Sequence, residues 1–166
     1  MIATVAYASI SEKGTVNGVA GNQSGKELKI RDYYDFGQDE YFRFYKSTDA
    51  WWMADIMERL CRNKKIGYSQ VDRTSLYNLL RKNGWKSGKV DIKCNCDCSS
   101  LITCAVNCID EKVVLKSDTY TGNLMSRLKN SGYGSVHKIT KGYKPMAGDI
   151  ICKAGKHVVC CIYGVR

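Results

Sequence analysis

Apolar positions recur at helical spacing in four stretches. Trp52, Ile56 and Leu60 predict a helix from about Ala50 to Arg62, with Ser47, Thr48 and Asp49 as N-cap candidates. Leu76, Leu79 and Leu80 predict a second from about Val71 to Asn83, stopped by Gly84. Leu101, Ile102, Ala105, Val106 and Ile109 pattern a third, which starts at Cys98. A short fourth spans roughly Gly122 to Asn130 and is closed by Gly132. Residues 28–45 are strand-like, because Tyr33, Tyr34, Phe36, Tyr41, Phe42, Phe44 and Tyr45 supply aromatic β-formers. Residues 149–152 and 157–163 are β-branched and apolar, with Ala154-Gly155-Lys156 between them as the turn of a hairpin. Residues 15–26, rich in Gly, Asn and Ser, read as a loop. Helices first and an antiparallel sheet late predict an α+β domain.

Composition narrows this picture. The chain has 166 residues, of which 44% are hydrophobic, enough for one packed domain over 1–166. The longest purely apolar run, Val158 to Tyr163, is far too short for a membrane-spanning helix. Ala6-Tyr7-Ala8 faintly resembles a signal-peptidase site, but no Lys or Arg precedes Lys13, so no signal peptide is expected. The net charge is +10 and uneven: −1 over residues 1–50, +5 over 51–100 and +6 over 101–166. A basic surface serves solubility, or it meets a polyanion such as nucleic acid, an anionic wall or an anionic membrane. The nine cysteines are an odd number, so they cannot all pair internally. Without a secretion signal most are expected to be reduced thiols, as metal ligands, a nucleophile or core filling.

Cys94-Asn95-Cys96-Asp97-Cys98-Ser99-Ser100 is the densest cluster. Its alternating cysteines lack the two-residue gap and the downstream second pair typical of structural zinc, so no metal is expected. Cys98 instead stands at a predicted helix start, where free backbone N–H groups favour a thiolate and can hold an oxyanion. A cysteine that merely packs in the core fits the local sequence equally well. A nucleophile needs a base, and the chain has two histidines. His137 lies in a glycine-rich segment with basic neighbours and reads as a solvated loop residue. His157 opens the last strand, where an imidazole can be held rigidly and partly shielded from water. Cysteine on a helix start and histidine on a following sheet is the papain-like layout.

These residues carry a resemblance. Asp97-Cys98-Ser99-Ser100-Leu101 resembles the Asp-Cys-Ser-Gly/Ala-Leu signature of NlpC-type (CHAP-like) papain-like peptidoglycan hydrolases. Pro145-Met146-Ala147-Gly148-Asp149-Ile150-Ile151 is similar to their Pro-x-x-Gly-Asp strand, and His157-Val158-Val159 through Ile162-Tyr163-Gly164 to their histidine strand. Gly21-Asn22-Gln23-Ser24-Gly25-Lys26-Glu27, and Lys64 with Ile66-Gly67-Tyr68-Ser69-Gln70, extend the likeness to phage and prophage endolysins of Gram-positive bacteria. The resemblance implies an α+β papain-like cysteine hydrolase with helices packed on a central antiparallel sheet. It implies cleavage of an amide bond in the peptide part of peptidoglycan, with no cofactor. By this likeness Cys98 is the nucleophile and His157 the base, and Tyr68 lines the site and helps the oxyanion. Gln23 and Asn22 could face the site, or simply build a turn.

Two departures stand out. Ser100 replaces the usual Gly or Ala. The family's third polar residue normally follows the histidine on the next strand, whereas nine residues follow His157 here. The orienting group is then an upstream residue, with Asn22 or Gln23 as candidates, a backbone carbonyl, or a segment beyond Arg166.

The expected partners are peptidoglycan and anionic wall polymers, with neither nucleic acid nor a membrane span. No separate wall-binding domain is expected. Such a lysin is made in the host cytoplasm without a signal peptide and reaches the wall after holin-type release. The rival reading is a basic, cysteine-rich binding protein for nucleic acid or anionic polymer, disfavoured by the missing CxxC pairs and nucleic-acid motifs. A third keeps the fold but changes the reaction to a transferase or a protease for another substrate.

Overall fold

The computed structural model describes residues 2–9, 20 and 27–165. In chain order it forms β1 (Thr4–Ala8), β2 (Leu28–Asp32), β3 (Glu40–Phe44), α1 (Ser47–Arg62), β4 (Ile66–Tyr68), α2 (Ser75–Lys82), β5 (Cys94–Cys96), α3 (Cys98–Ile109), α4 (Leu124–Asn130), β6 (Gly134–Lys138), β7 (Ile150–Lys153) and β8 (His157–Tyr163). A six-stranded antiparallel sheet has the order β2-β1-β8-β7-β3-β6, and β4 pairs with β5 in a small parallel sheet. The chain is therefore α+β, as the pattern predicts.

The layering follows from burial. On α3, ten of the twelve residues are buried, so it is a central helix enclosed on all sides. It packs with α1 against one face of the sheet, in a core that includes Leu101, Ile102, Met53, Met57 and Phe42. The opposite face is covered too: Val5, Tyr7, Ile151, Val159 and Cys161 pack under Tyr33, Tyr34, Phe36, Tyr41, Ile139 and Tyr143. A central strand buried on both faces must be apolar continuously. That is why Val158 to Ile162 shows no alternation.

Several boundaries differ from the sequence reading. Strands precede the helices as well as follow them, and β4 and β5, three residues each, are too short to leave a clear period-two signal. The aromatic stretch 28–45 is two strands, β2 and β3, with the outer-face aromatics on the segment between them. Lys46 is the N-cap of α1, and Ser47, Thr48 and Asp49 form its first turn. Turns occupy 71–74, so α2 starts at Ser75. His137 lies in β6, not in a loop, and its ring stacks on Tyr41 at 5.1 Å. Gly134 misled the sequence reading there. A Cβ on it would lie 2.1 Å from the Arg43 carbonyl oxygen, so this glycine serves close strand contact and not a turn. The loop expected at 15–26 falls, residue 20 apart, outside the described residues.

The Pro145–Asp149 segment anchors the histidine hairpin. Asp149 is 1% exposed, and Arg43 donates to both its oxygens, at 2.8 and 2.6 Å. The Tyr143 hydroxyl and the Met146 N–H each donate to it at 2.9 Å. Gly148 has φ +90°, and a Cβ there would meet the Ala50 Cα and carbonyl oxygen of α1 at 2.6 Å. Gly148→Ala is expected to cost about 2–5 kcal/mol, from backbone strain plus overpacking. Denaturant unfolding with an unchanged m-value measures it.

Candidate functional site

The chain runs from β5 directly into α3, so the nucleophile candidate sits where a strand hands over to a buried helix. Asp97 is the N-cap of α3 and closes a capping box: its Oδ1 accepts from the Ser100 N–H at 2.7 Å, and the Ser100 hydroxyl oxygen accepts from the Asp97 N–H at 2.8 Å. Ser100, the departure from Gly or Ala, supplies half of this box. Cys98 is therefore the first helical residue, and its own N–H has no acceptor within the helix.

Arg73 holds the cap from outside. It donates to Asp97 Oδ2 at 2.5 Å, Ser99 Oγ at 3.0 Å, the Ser117 carbonyl at 3.1 Å and the Thr119 carbonyl at 2.6 Å. This ties the α3 start to the loop that carries Tyr120 and Thr121. Those two residues, with Ser9, Tyr68, Gln70 and the turn residues Gly155 and Lys156, line a cleft of about 470 Å³ that contains both Cys98 and His157.

His157 enters from the sheet. It is the first residue of β8, opposite Lys153 across the hairpin. Its ring is edge-on to Tyr7 at 5.1 Å and to Phe36 at 5.2 Å. Among the described residues no side chain hydrogen-bonds the ring, which is oriented by this aromatic clamp. Burial, and secondarily the positive charge of Lys29, push its pKa down to about 4, so it is a neutral base at pH 7.

Cys98 departs from the sequence expectation. Burial, and next the Asp97 charge, push its thiol up to about 12, while the amides of Val158 and Ser99 pull the other way. The free N–H groups at the helix start do not outweigh the cost of burying a thiolate. The resting pair is a neutral thiol and a neutral imidazole.

Tyr68 ends β4, in register with Cys96 of β5, and lines the same cleft. Its hydroxyl accepts from Gln70 Nε2 at 3.2 Å, and burial raises its pKa to about 12, so it remains a hydroxyl donor at neutral pH. Asn22 and Gln23 lie outside the described residues. The other cysteines of the cluster part company with Cys98: the Cys94 thiol faces the Lys65 carbonyl at 3.9 Å, and the Cys96 thiol the Gly67 carbonyl at 3.6 Å. All nine cysteines are free thiols. Among the described residues, no group of three or more His, Cys, Asp or Glu could hold a metal ion. Among the same residues, no helix is long and apolar enough to cross a membrane.

The family profile of the endolysin-like domain (ELLD) matches residues 5–164, nearly the whole chain. The chain belongs to the endolysin-like domain family. No curated protein and no solved structure matches it. Membership points to a cell-wall lytic function with peptidoglycan as the substrate. In this endolysin-like domain, sequence reasoning missed Arg73, the aromatic clamp of Tyr7 and Phe36, and the cleft residues Tyr120, Thr121 and Lys156. Gln70 and Asp97 lay inside quoted motifs. Arg73 left no signal, since its partners lie 24 to 46 residues away in sequence.

Proposed function

We propose that this endolysin-like chain is a papain-like cysteine hydrolase of the NlpC/CHAP type, with one catalytic domain that cleaves an amide bond in the peptide part of peptidoglycan. The observation that carries the proposal is the shared cleft: a thiol at a capped helix start and a neutral imidazole on a central strand line one cavity. Within the proposal His157 takes the Cys98 proton, and the sulfur attacks the scissile carbonyl carbon. The oxyanion forms beside the free Cys98 N–H and the Tyr68 hydroxyl. His157, now protonated, passes the proton to the leaving nitrogen, and the amine departs. Water then attacks the thioester carbonyl carbon, which frees the acid and restores the thiol. The aromatic clamp does the orienting work of a third polar residue.

The raised thiol pKa is consistent with this chemistry, because a base-coupled thiol needs no standing thiolate. The test is mass spectrometry of soluble fragments from purified Gram-positive peptidoglycan, with Cys98→Ala as the blank. Fragments with new peptide termini are expected from the wild type alone, and their masses name the bond. Equal fragments from both proteins would end the proposal.

A further inference from the structure

The charge lining the cleft is one-sided. Among the described residues Asp97 is its only carboxylate, and that group is consumed by Arg73, the Ser99 hydroxyl and the Ser100 N–H. Tyr68, Gln70, Tyr120 and Thr121 are uncharged. Lys156 also lines the cleft, one residue before His157, in the turn where its N–H donates to the Lys153 carbonyl at 3.0 Å. Its ammonium meets no carboxylate among the described residues. On β7 and β6 the lysines are partnered: Lys153 binds Asp39 at 2.7 Å and Lys138 binds Glu40 at 3.3 Å. Lys29 adds to the same field. It lies opposite Tyr7 in the β1–β2 register, Tyr7 packs on His157, and the Lys29 charge acts on that imidazole. A cation with no carboxylate partner among the described residues, in a cleft, favours an anionic group on whatever enters.

The position of Lys156 assigns that anion a place on the substrate. An imidazole that protonates the leaving nitrogen must face the amine side of the scissile amide. Lys156 flanks that imidazole in the chain. Asp97, Cys98 and Ser99 line the cleft from the start of α3, whereas Gly155, Lys156 and His157 line it from the hairpin. Resting on the cysteine-hydrolase reading, we propose that Lys156 determines specificity by binding a free carboxylate on the residue that supplies the scissile nitrogen. Such a carboxylate is present where that residue is an acidic or branch-point residue or a chain end. In the amide that joins sugar to peptide, the amine-side residue has spent its α-carboxyl on the next peptide bond. The proposal therefore selects a bond within or between peptides.

Two synthetic peptides test this, identical except for a carboxylate or a carboxamide on the amine-side residue. The wild type is expected to favour the carboxylate about tenfold in kcat/KM, the size of a charge-assisted hydrogen bond in a partly desolvated site. The preference should shrink at high salt. Lys156→Ala should bring the ratio near one, Lys156→Glu should invert it, and Lys156→Arg should keep most of it. Lys156 is exposed on a turn, so these variants should melt with the wild type. A preference unchanged in Lys156→Ala, or none in the wild type, overturns the assignment. Calorimetric binding of the same two peptides to Cys98→Ala separates this from the chemistry. Missing hydrolysis strikes the cysteine-hydrolase reading, and equal or undetectable binding of the two peptides strikes the role of Lys156.

Discussion

Lytic activity is expected to fall to background in Cys98→Ala, and by about 10²–10⁴-fold in kcat/KM in His157→Ala, the usual contribution of a positioned general base. The two losses have different causes, and pH separates them. A thiol with a pKa pushed up to about 12 is only about 10⁻⁵ ionised at pH 7. Without an imidazole, the His157→Ala variant relies on that free thiolate. Its residual rate should climb about tenfold per pH unit across the neutral range. The wild type should behave otherwise. Burial and Lys29 depress the His157 pKa to about 4, so the base is already neutral above that value and is lost only as pH falls through it. The wild-type profile should hence be flat across neutrality, with its acid limb near pH 4. A limb near the ordinary histidine value of about 6.5 would mean that substrate opens the aromatic clamp or that another group is the base. A shallow pH response in His157→Ala would mean that a second base serves Cys98.

The clamp explains why the orienting group was illegible in the sequence. A search for a polar third member has one period to follow, the strand after the histidine. Tyr7 lies 150 residues upstream of His157 and Phe36 lies 121 upstream, and both approach it from the outer face of the sheet. Nothing in the local pattern around either residue marks it as a neighbour of an imidazole. Cys98 and His157 were legible for the opposite reason. Each sits at the first position of a strongly patterned element, so the element's start locates the side chain. The α3 helix and the β7–β8 hairpin were legible because continuous burial leaves long apolar runs. The three-residue strands β4 and β5 have no such run, although they set Tyr68 and Asp97 in place. The thiol pKa was misjudged because a helix start is visible in sequence and burial at that start is not.

Arg73→Ala is expected to destabilise the fold by about 3–5 kcal/mol, the usual cost of stranding one member of a partly buried ion pair. The Asp97 side chain is 13% exposed and that of Arg73 20%, so water replaces little of what the guanidinium supplies. Four groups lose a donor at once: the Asp97 carboxylate, the Ser99 hydroxyl and the carbonyls of Ser117 and Thr119. Their loss acts on the site from two directions. The cap of α3 loses its neutralising charge, and the loop bearing Tyr120 and Thr121 loses its tie to the helix start. Lysine cannot replace the fork, because one ammonium does not span a carboxylate, a hydroxyl and two carbonyls in different directions. Arg73→Lys should therefore recover only a minor part of the stability. Asp97→Asn separates the two roles of the pair. It keeps an oxygen for the Ser100 N–H but leaves the guanidinium without its counter-charge, so it should cost less than Arg73→Ala while still lowering lytic activity. Urea unfolding of the three variants, alongside their lytic rates, gives the ordering Arg73→Ala, Arg73→Lys, Asp97→Asn from most to least destabilised. Equal stability of Arg73→Ala and wild type would show that the guanidinium is dispensable and that the capping box alone holds the start of α3.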